Sequence, residues 1–146
     1  MVDAGESKIF MSTRDTLIRS YMAGAILALG AVFAVTVAVQ TGSFLVGSML
    51  FPVGFIMLYL MGFDLLTGVF VLTPLALLDK RPGVTVQGVL RNWGLVFTGN
   101  FLGALTVAAM MAFVLTMGFH LEPDAVGQKL AGVGEARTLG LSLIHI

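Results

Sequence analysis

Seven residues in the middle of the chain, Gly62-Phe63-Asp64-Leu65-Leu66-Thr67-Gly68, bring a carboxylate, a hydroxyl and two glycines into an otherwise apolar run. An unpaired main-chain N–H or C=O in hydrocarbon costs several kcal/mol, so irregular chain persists there only where protein covers it or a wet cavity reaches it. The pattern predicts a helix that ends near Gly62 and resumes near Thr67, with a short loop between. Discontinuous helices of this kind build solute sites near the midplane of transporters. Two chemistries are open to the polar side chains. The Asp64 carboxylate suits the exposed N–H groups of the second half-helix as a cap, without touching any solute. The Thr67 hydroxyl, at the loop tip, suits donation to an anion. Composition alone does not separate Phe51, Phe55 and Leu66 from ordinary packing residues.

A further polar side chain, Asn100, lies inside Gly99-Asn100-Phe101-Leu102-Gly103. Its amide requires a hydrogen-bond partner from backbone or from another helix. Gly99 and Gly103 have the small-xxx-small spacing that lets two helices approach closely, so all three are read as packing residues. Trp93, next to Asn92 and two residues from Arg91, reads as an interfacial anchor. No catalytic, metal or cofactor constellation is found. The chain has no cysteine, which removes thiolate ligands and nucleophiles. It also lacks HExxH, GxSxG and P-loop patterns and an intramembrane His–carboxylate pair. His120 reads as an interfacial residue rather than a metal ligand.

The elements that must carry these residues follow from the charge layout. Of 146 residues 58% are hydrophobic and 11% charged, with a mean hydropathy of +0.99, whereas a soluble domain carries about 25% charged residues. Eight basic residues balance eight acidic ones, so there is no basic footprint for nucleic acid, and the hydrophobicity excludes a disordered chain. Ser20 to Phe63 is 44 residues without Asp, Glu, Lys or Arg, and Asn92 to Leu121 is another 30. A hydrocarbon core of about 30 Å needs about 20 apolar residues per helix. The reading is an all-α membrane protein with a cytoplasmic amino-terminal arm (1–16) and three spans at about 17–40, 45–78 and 89–119, the second broken. An outer loop follows at 120–140. Ser12-Thr13-Arg14-Asp15 is a capping pattern before the first span, and Asp79-Lys80-Arg81-Pro82-Gly83 a loop after the second. Lys8, Arg14 and Arg19 before the first span, with Lys80, Arg81 and Arg91 between the second and third, put the amino terminus in the cytoplasm. The first apolar run is long and no small-residue cleavage site follows it, so it reads as a span and not a signal peptide.

Taken together, Val46-Gly47, Phe51-Pro52-Val53-Gly54-Phe55, Gly62 to Gly68, Arg91-Asn92-Trp93 and Gly99 to Ala104 resemble the second and third helices of the formate/nitrite transporter family. The resemblance covers roughly residues 17 to 140. Where that family's loop usually reads Ala-Asp/Glu-Leu-Phe-Thr, Phe63 replaces the Ala and Leu66 the Phe. The resemblance implies an aquaporin-like fold of six helices in two inverted repeats, of which this chain carries the first, and a homo-pentamer with one pore per protomer in the cell membrane. It implies passage of small monovalent anions such as formate or nitrite, or of the weak acid with its proton. Phe51, Phe55 and Leu66 would then line hydrophobic constrictions, and Thr67 would touch the anion. Arg137 would take the place of the family's basic residue in the outer vestibule, attracting anions without supplying a proton, since an Arg stays charged. The family's central proton-handling His belongs to the second repeat.

The ending Leu141-Ser142-Leu143-Ile144-His145-Ile146 is the translation of CTG TCT CTT ATA CAC ATC, a transposase-end sequencing adapter. The expectation is that native sequence stops near Gly140, that His145 is no pore histidine, and that the fragment alone is inactive. The alternative reading is a three-span structural or assembly protein without transport activity, which explains the composition but not the break at Asp64 and Thr67. An aquaporin is disfavoured because the paired Asn-Pro-Ala motifs are absent and Asn100 precedes Phe101.

Overall fold

A computed structural model describes residues 1–144, and side chains through Gly140. The adapter reading of 141–146 falls on His145 and Ile146, outside the described residues, and on four residues whose side chains are likewise outside them. The described residues form seven helices and no strand: α1 (Val2–Phe10), α2 (Thr13–Thr41), α3 (Phe44–Leu50), α4 (Pro52–Leu60), α5 (Leu66–Leu78), α6 (Val86–Leu115) and α7 (Ala125–Ile144).

Local chemistry sets the ends of the long helices. Ser12 is extended at φ −61°, ψ 150°, and its Oγ accepts from the Asp15 N–H at 3.1 Å while donating to Asp15 Oδ2 at 2.7 Å. That reciprocal cap starts α2. Gly42, at φ +65°, ends it in the left-handed conformation that glycine adopts without steric cost. At α6, Thr85 Oγ1 accepts from the Gly88 N–H at 3.1 Å. Helix α2 has 29 residues and α6 has 30, each about 44 Å at 1.5 Å per residue. Both are long and apolar enough to cross a membrane. The stretch between them is divided among α3, α4 and α5, of 7, 9 and 13 residues. Pro52 separates α3 from α4 because it has no N–H to continue the ladder.

Helices α2 and α6 form the central pair, and small residues bring their backbones together. A side chain on Gly24 would overlap the main chain at Asn100, one on Gly99 would overlap Ser20, and one on Gly103 would overlap the Tyr21 carbonyl. Ser20, with no exposed surface, donates to the Thr16 carbonyl at 2.7 Å and so brings no unpaired hydroxyl to the contact. Gly47 of α3 meets Ala34 and Ala38, and Gly54 of α4 meets Gly30, so α2 is also the backing for both short helices. Helix α1 folds back onto α5 and α6, where Ile9 is buried with Ala76 and Val89.

Two regions differ from the expectation. The amino-terminal arm carries the packed helix α1 before the Ser12 cap. The segment 120–140, expected as a loop on its hydrophilicity, is mostly helix α7. Asp124 accepts the Gly127 N–H at 2.8 Å as a cap, no proline follows Pro123, and Ala, Leu, Lys, Gln and Glu favour helix. Residues 131 to 140 are all exposed, so its polar residues belong to a largely uncovered helix rather than to coil.

Replacing Gly103 by Leu is expected to destabilise the detergent-solubilised protein by about 1–3 kcal/mol through overpacking. Gly94→Ala, where nothing lies within 4 Å of the added carbon, is expected to be neutral or to stabilise by up to about 1 kcal/mol. Thermal melts of the two variants check this.

Candidate functional site

Between Leu60 and Leu66 the chain leaves the helix, and its main-chain groups find partners in a defined order. Gly62 is left-handed at φ +69°, and the Phe63 N–H reaches back to the Leu58 carbonyl at 3.0 Å, closing α4. Helix α5 starts behind Leu65, whose apolar side chain offers no cap. The carbonyl of Leu65 accepts from the Gly68 and Val69 N–H groups at 3.0 and 3.1 Å. The Leu66 N–H donates to Asn100 Oδ1 at 2.9 Å. Among the described residues, the Thr67 N–H and hydroxyl have no partner, and Thr67 is exposed.

Asn100 does more than pack. Its Nδ2 donates to the Ser20 carbonyl at 2.7 Å and to the Asp64 carbonyl at 2.9 Å. One side chain therefore ties α2, the interruption and the first turn of α5 to α6.

Asp64 does not cap α5. It is 2% exposed, and its Oδ1 is paired with Lys8 Nζ of α1. That pairing takes the carboxylate away from the helix amides, and Asn100 fills the capping role. Lys8 is held in turn, because Asn92 Nδ2 donates to its carbonyl at 3.0 Å. Asp64 Oδ2 and Asn92 Oδ1 are buried without partners among the described residues. Arg19 Nη1 reaches the Gly62 carbonyl at 3.4 Å, so two basic residues of the amino-terminal part touch the interruption. In the sequence Lys8 is marked only by its charge, and no local signal separates it from Arg14 or Arg19 as the partner of a carboxylate 56 positions away.

Gly62 and Asp64 line a cavity of about 200 Å³ with Lys8, Leu58, Phe63 and Leu65. Gly68 also borders it, but from within the first turn of α5 rather than from the interruption. Phe51 and Phe55 stand edge to face, 5.5 Å between ring centres. Phe51 lines a second cavity, of about 360 Å³, with Ala34, Ala38, Gly47 and Lys129. The two cavities share no residue, and Leu66 and Thr67 line neither. Arg137 is exposed on α7, and the basic residue beside Phe51 is Lys129. Trp93 bridges α5 and α6. Its indole N–H donates to Thr73 Oγ1 at 2.9 Å and to the Val69 carbonyl at 3.2 Å, and its ring meets Phe70 edge on, which pins α5 to α6. On the loop after α5, Arg81 pairs with Asp79, Asp3 and Glu6. The hydrogen bond that Arg81 donates to Asp79, and the nearby Asp3, Asp79 and Glu6 charges, raise its pKa above the ordinary arginine value. No group of three or more His, Cys, Asp or Glu that could hold a metal occurs among the described residues.

The family model for the formate/nitrite transporters matches residues 1–145. The chain belongs to the formate/nitrite transporter family. It is 34% identical over 113 residues to the uncharacterized transporter YrhG of Bacillus subtilis, covering 73% of this chain and 42% of YrhG. To the formate channel BtFdhC of Bacillus thuringiensis it is 32% identical over 152 aligned positions, 98% of this chain and 58% of BtFdhC. To the formate channel FocA of Haemophilus influenzae it is 37% identical over 100 residues, 62% of this chain and 33% of FocA. The chain thus spans about half the length or less of these curated relatives. No solved structure gives a significant match. With α2 and α6 long and apolar enough to cross a bilayer, the family membership makes this an all-helical membrane protein of a transporter and channel family.

Lys8→Met is expected to leave the Asp64 carboxylate buried and unpaired, at a cost of about 3–5 kcal/mol. The double change Lys8→Met with Asp64→Leu is expected to recover most of that loss, since replacing both partners removes the stranded charge. Melting temperatures of the single and double variants check this.

Proposed function

We propose that the full-length protein passes small monovalent anions of the formate/nitrite class across the cell membrane, alone or together with a proton as the weak acid. The observation that carries this reading is the free N–H and free hydroxyl of Thr67, side by side at the amino-terminal end of α5. A helix amino terminus carries positive partial charge and unsatisfied N–H donors, which suits an anion. A bare anion entering an apolar passage loses hydration worth several kcal/mol or more, and two donors on one residue offset part of that loss. The Lys8 charge is balanced by Asp64, so the net positive charge near the interruption comes from Arg19, which reaches the Gly62 carbonyl. BtFdhC and FocA are named as formate channels, which supports formate as a solute for this chain.

In this reading Phe51, Phe55 and Leu66 narrow the path, so that solutes pass with little or no water. Arg137 and Lys129 supply the positive charge at the outer end. Lys8, Arg14, Arg19, Lys80, Arg81 and Arg91 belong to segments at one membrane face, from which Lys8 and Arg19 reach in to the break, and this sets the amino terminus in the cytoplasm. The functional unit is a pentamer whose protomers each enclose a pore from two inverted three-span repeats, and the break between α4 and α5 lies at membrane depth. The present residues furnish one repeat, which cannot surround a pore by itself.

Formate or nitrite flux is expected in proteoliposomes of the full-length protein and none through the 146-residue chain alone. Thr67→Val is expected to cut the full-length rate about tenfold or more, since a hydrogen bond to a charged group contributes about 1.5–3 kcal/mol. Flux equal to empty vesicles for every small monoanion overturns the reading.

A further inference from the structure

The Asn100 side-chain amide makes three hydrogen bonds, to three separate pieces of chain. Its oxygen holds the Leu66 N–H, and its nitrogen holds the carbonyls of Ser20 and Asp64. Of the first N–H groups of α5, those of Gly68 and Val69 are closed by the Leu65 carbonyl and that of Leu66 by Asn100. Thr67 is left with the free one. Which residue offers its amide at this helix end is therefore decided by Asn100, a side chain on another helix and not itself at the free donors.

We propose that Asn100 is a positioning residue for permeation: it selects Thr67 as the donor at the amino-terminal end of α5 and thereby sets which anions are accepted. The inference rests on the anion-transport reading above. The chemistry asks for a short side chain carrying an acceptor and a two-proton donor on one planar group, which among the natural residues of this length is asparagine alone. Aspartate keeps the acceptor for Leu66 but turns a second oxygen toward two carbonyls. Serine reaches one partner. Without the side chain, the Leu66 N–H and the Asp64 carbonyl are both released in apolar surroundings. The first turn of α5 can then re-pair with water or shift register, and Thr67 no longer presents a fixed pair of donors. The contact with Gly24, whose position against the Asn100 main chain tolerates no side chain, holds Asn100 at a constant height relative to Ser20.

The test uses the full-length protein in liposomes. Asn100→Ala is expected to raise the half-saturating formate concentration at least fivefold and to lower the ratio of formate to chloride flux by a similar factor, with oligomer size unchanged. Asn100→Asp is expected to behave likewise. Thr98→Ala, which removes a hydroxyl bonded only to the Gly94 carbonyl of its own helix, is expected to change neither quantity. Asn100→Ala that lowers only the maximal rate, with half-saturation and discrimination as in the parent, overturns the proposal, because a purely structural role predicts that outcome. Should that variant not assemble, amide exchange in the unaltered protein decides. Leu66 is expected to exchange at least tenfold more slowly than Thr67, and equal rates overturn the assignment. An unaltered protein that carries no formate while Leu66 stays protected refutes the transport reading but leaves the placement by Asn100 standing.

Discussion

The satisfaction of main-chain polar groups within apolar surroundings governs this structure. A helix meets that demand by itself, but between Leu60 and Leu66 it does not, and the groups set free there must be met by side chains from elsewhere. Asn100 meets two of them, the Asp64 carbonyl and the Leu66 N–H, and its remaining amide proton goes to the Ser20 carbonyl of α2. The close approach of α2 and α6 makes this possible, because Gly24, Gly99 and Gly103 keep side chains out of the contact and leave the Ser20 carbonyl within reach of the Asn100 amide. The small-residue packing and the polar interruption are thus parts of one arrangement. The first sets the distance at which the second can be held.

The Asp64 carboxylate answers a related demand by a different route. A buried charge must be paired, and its partner comes from the amino-terminal helix rather than from a neighbouring span. Helix α1 is consequently more than a leader to α2. It is fastened at one end by Arg81 through Asp3 and Glu6, and at the other by Lys8 to Asp64 and by Asn92 to the Lys8 carbonyl. Its apolar side is covered through Ile9. Any displacement of α1 would uncover the carboxylate under the interruption.

Much of this framework is visible in residue order because it depends on local chemistry. Ser12 and Gly42 mark the ends of α2, and Gly62 with Asp64 points to a stretch where α4 stops and α5 begins. The less legible parts depend on partners remote in sequence. Nothing near Asp64 indicates Lys8, and nothing near Leu66 indicates that Asn100, 34 positions on, would take the capping role that Asp64 was placed to fill. Trp93 beside a basic residue has the look of an interfacial anchor, yet the pairing of its N–H with Thr73 depends on how α5 lies on α6. Helix α7 is less legible because Gly127, Gly132, Gly134 and Gly140 weaken its helical pattern, leaving the Asp124 cap as its local start signal.

Because the chain has no cysteine, single cysteines placed in turn from Leu60 to Val69 of an otherwise unaltered full-length protein can be probed without background from these residues. A membrane-impermeant thiol reagent added to sealed vesicles, with and without formate, measures most directly whether water and anion reach the interruption. A cysteine at position 67 is expected to be labelled, more slowly with formate present, and one at position 69, which is buried in α5, to be labelled little. Labelling that is absent throughout, or that formate leaves unchanged at position 67, would contradict it.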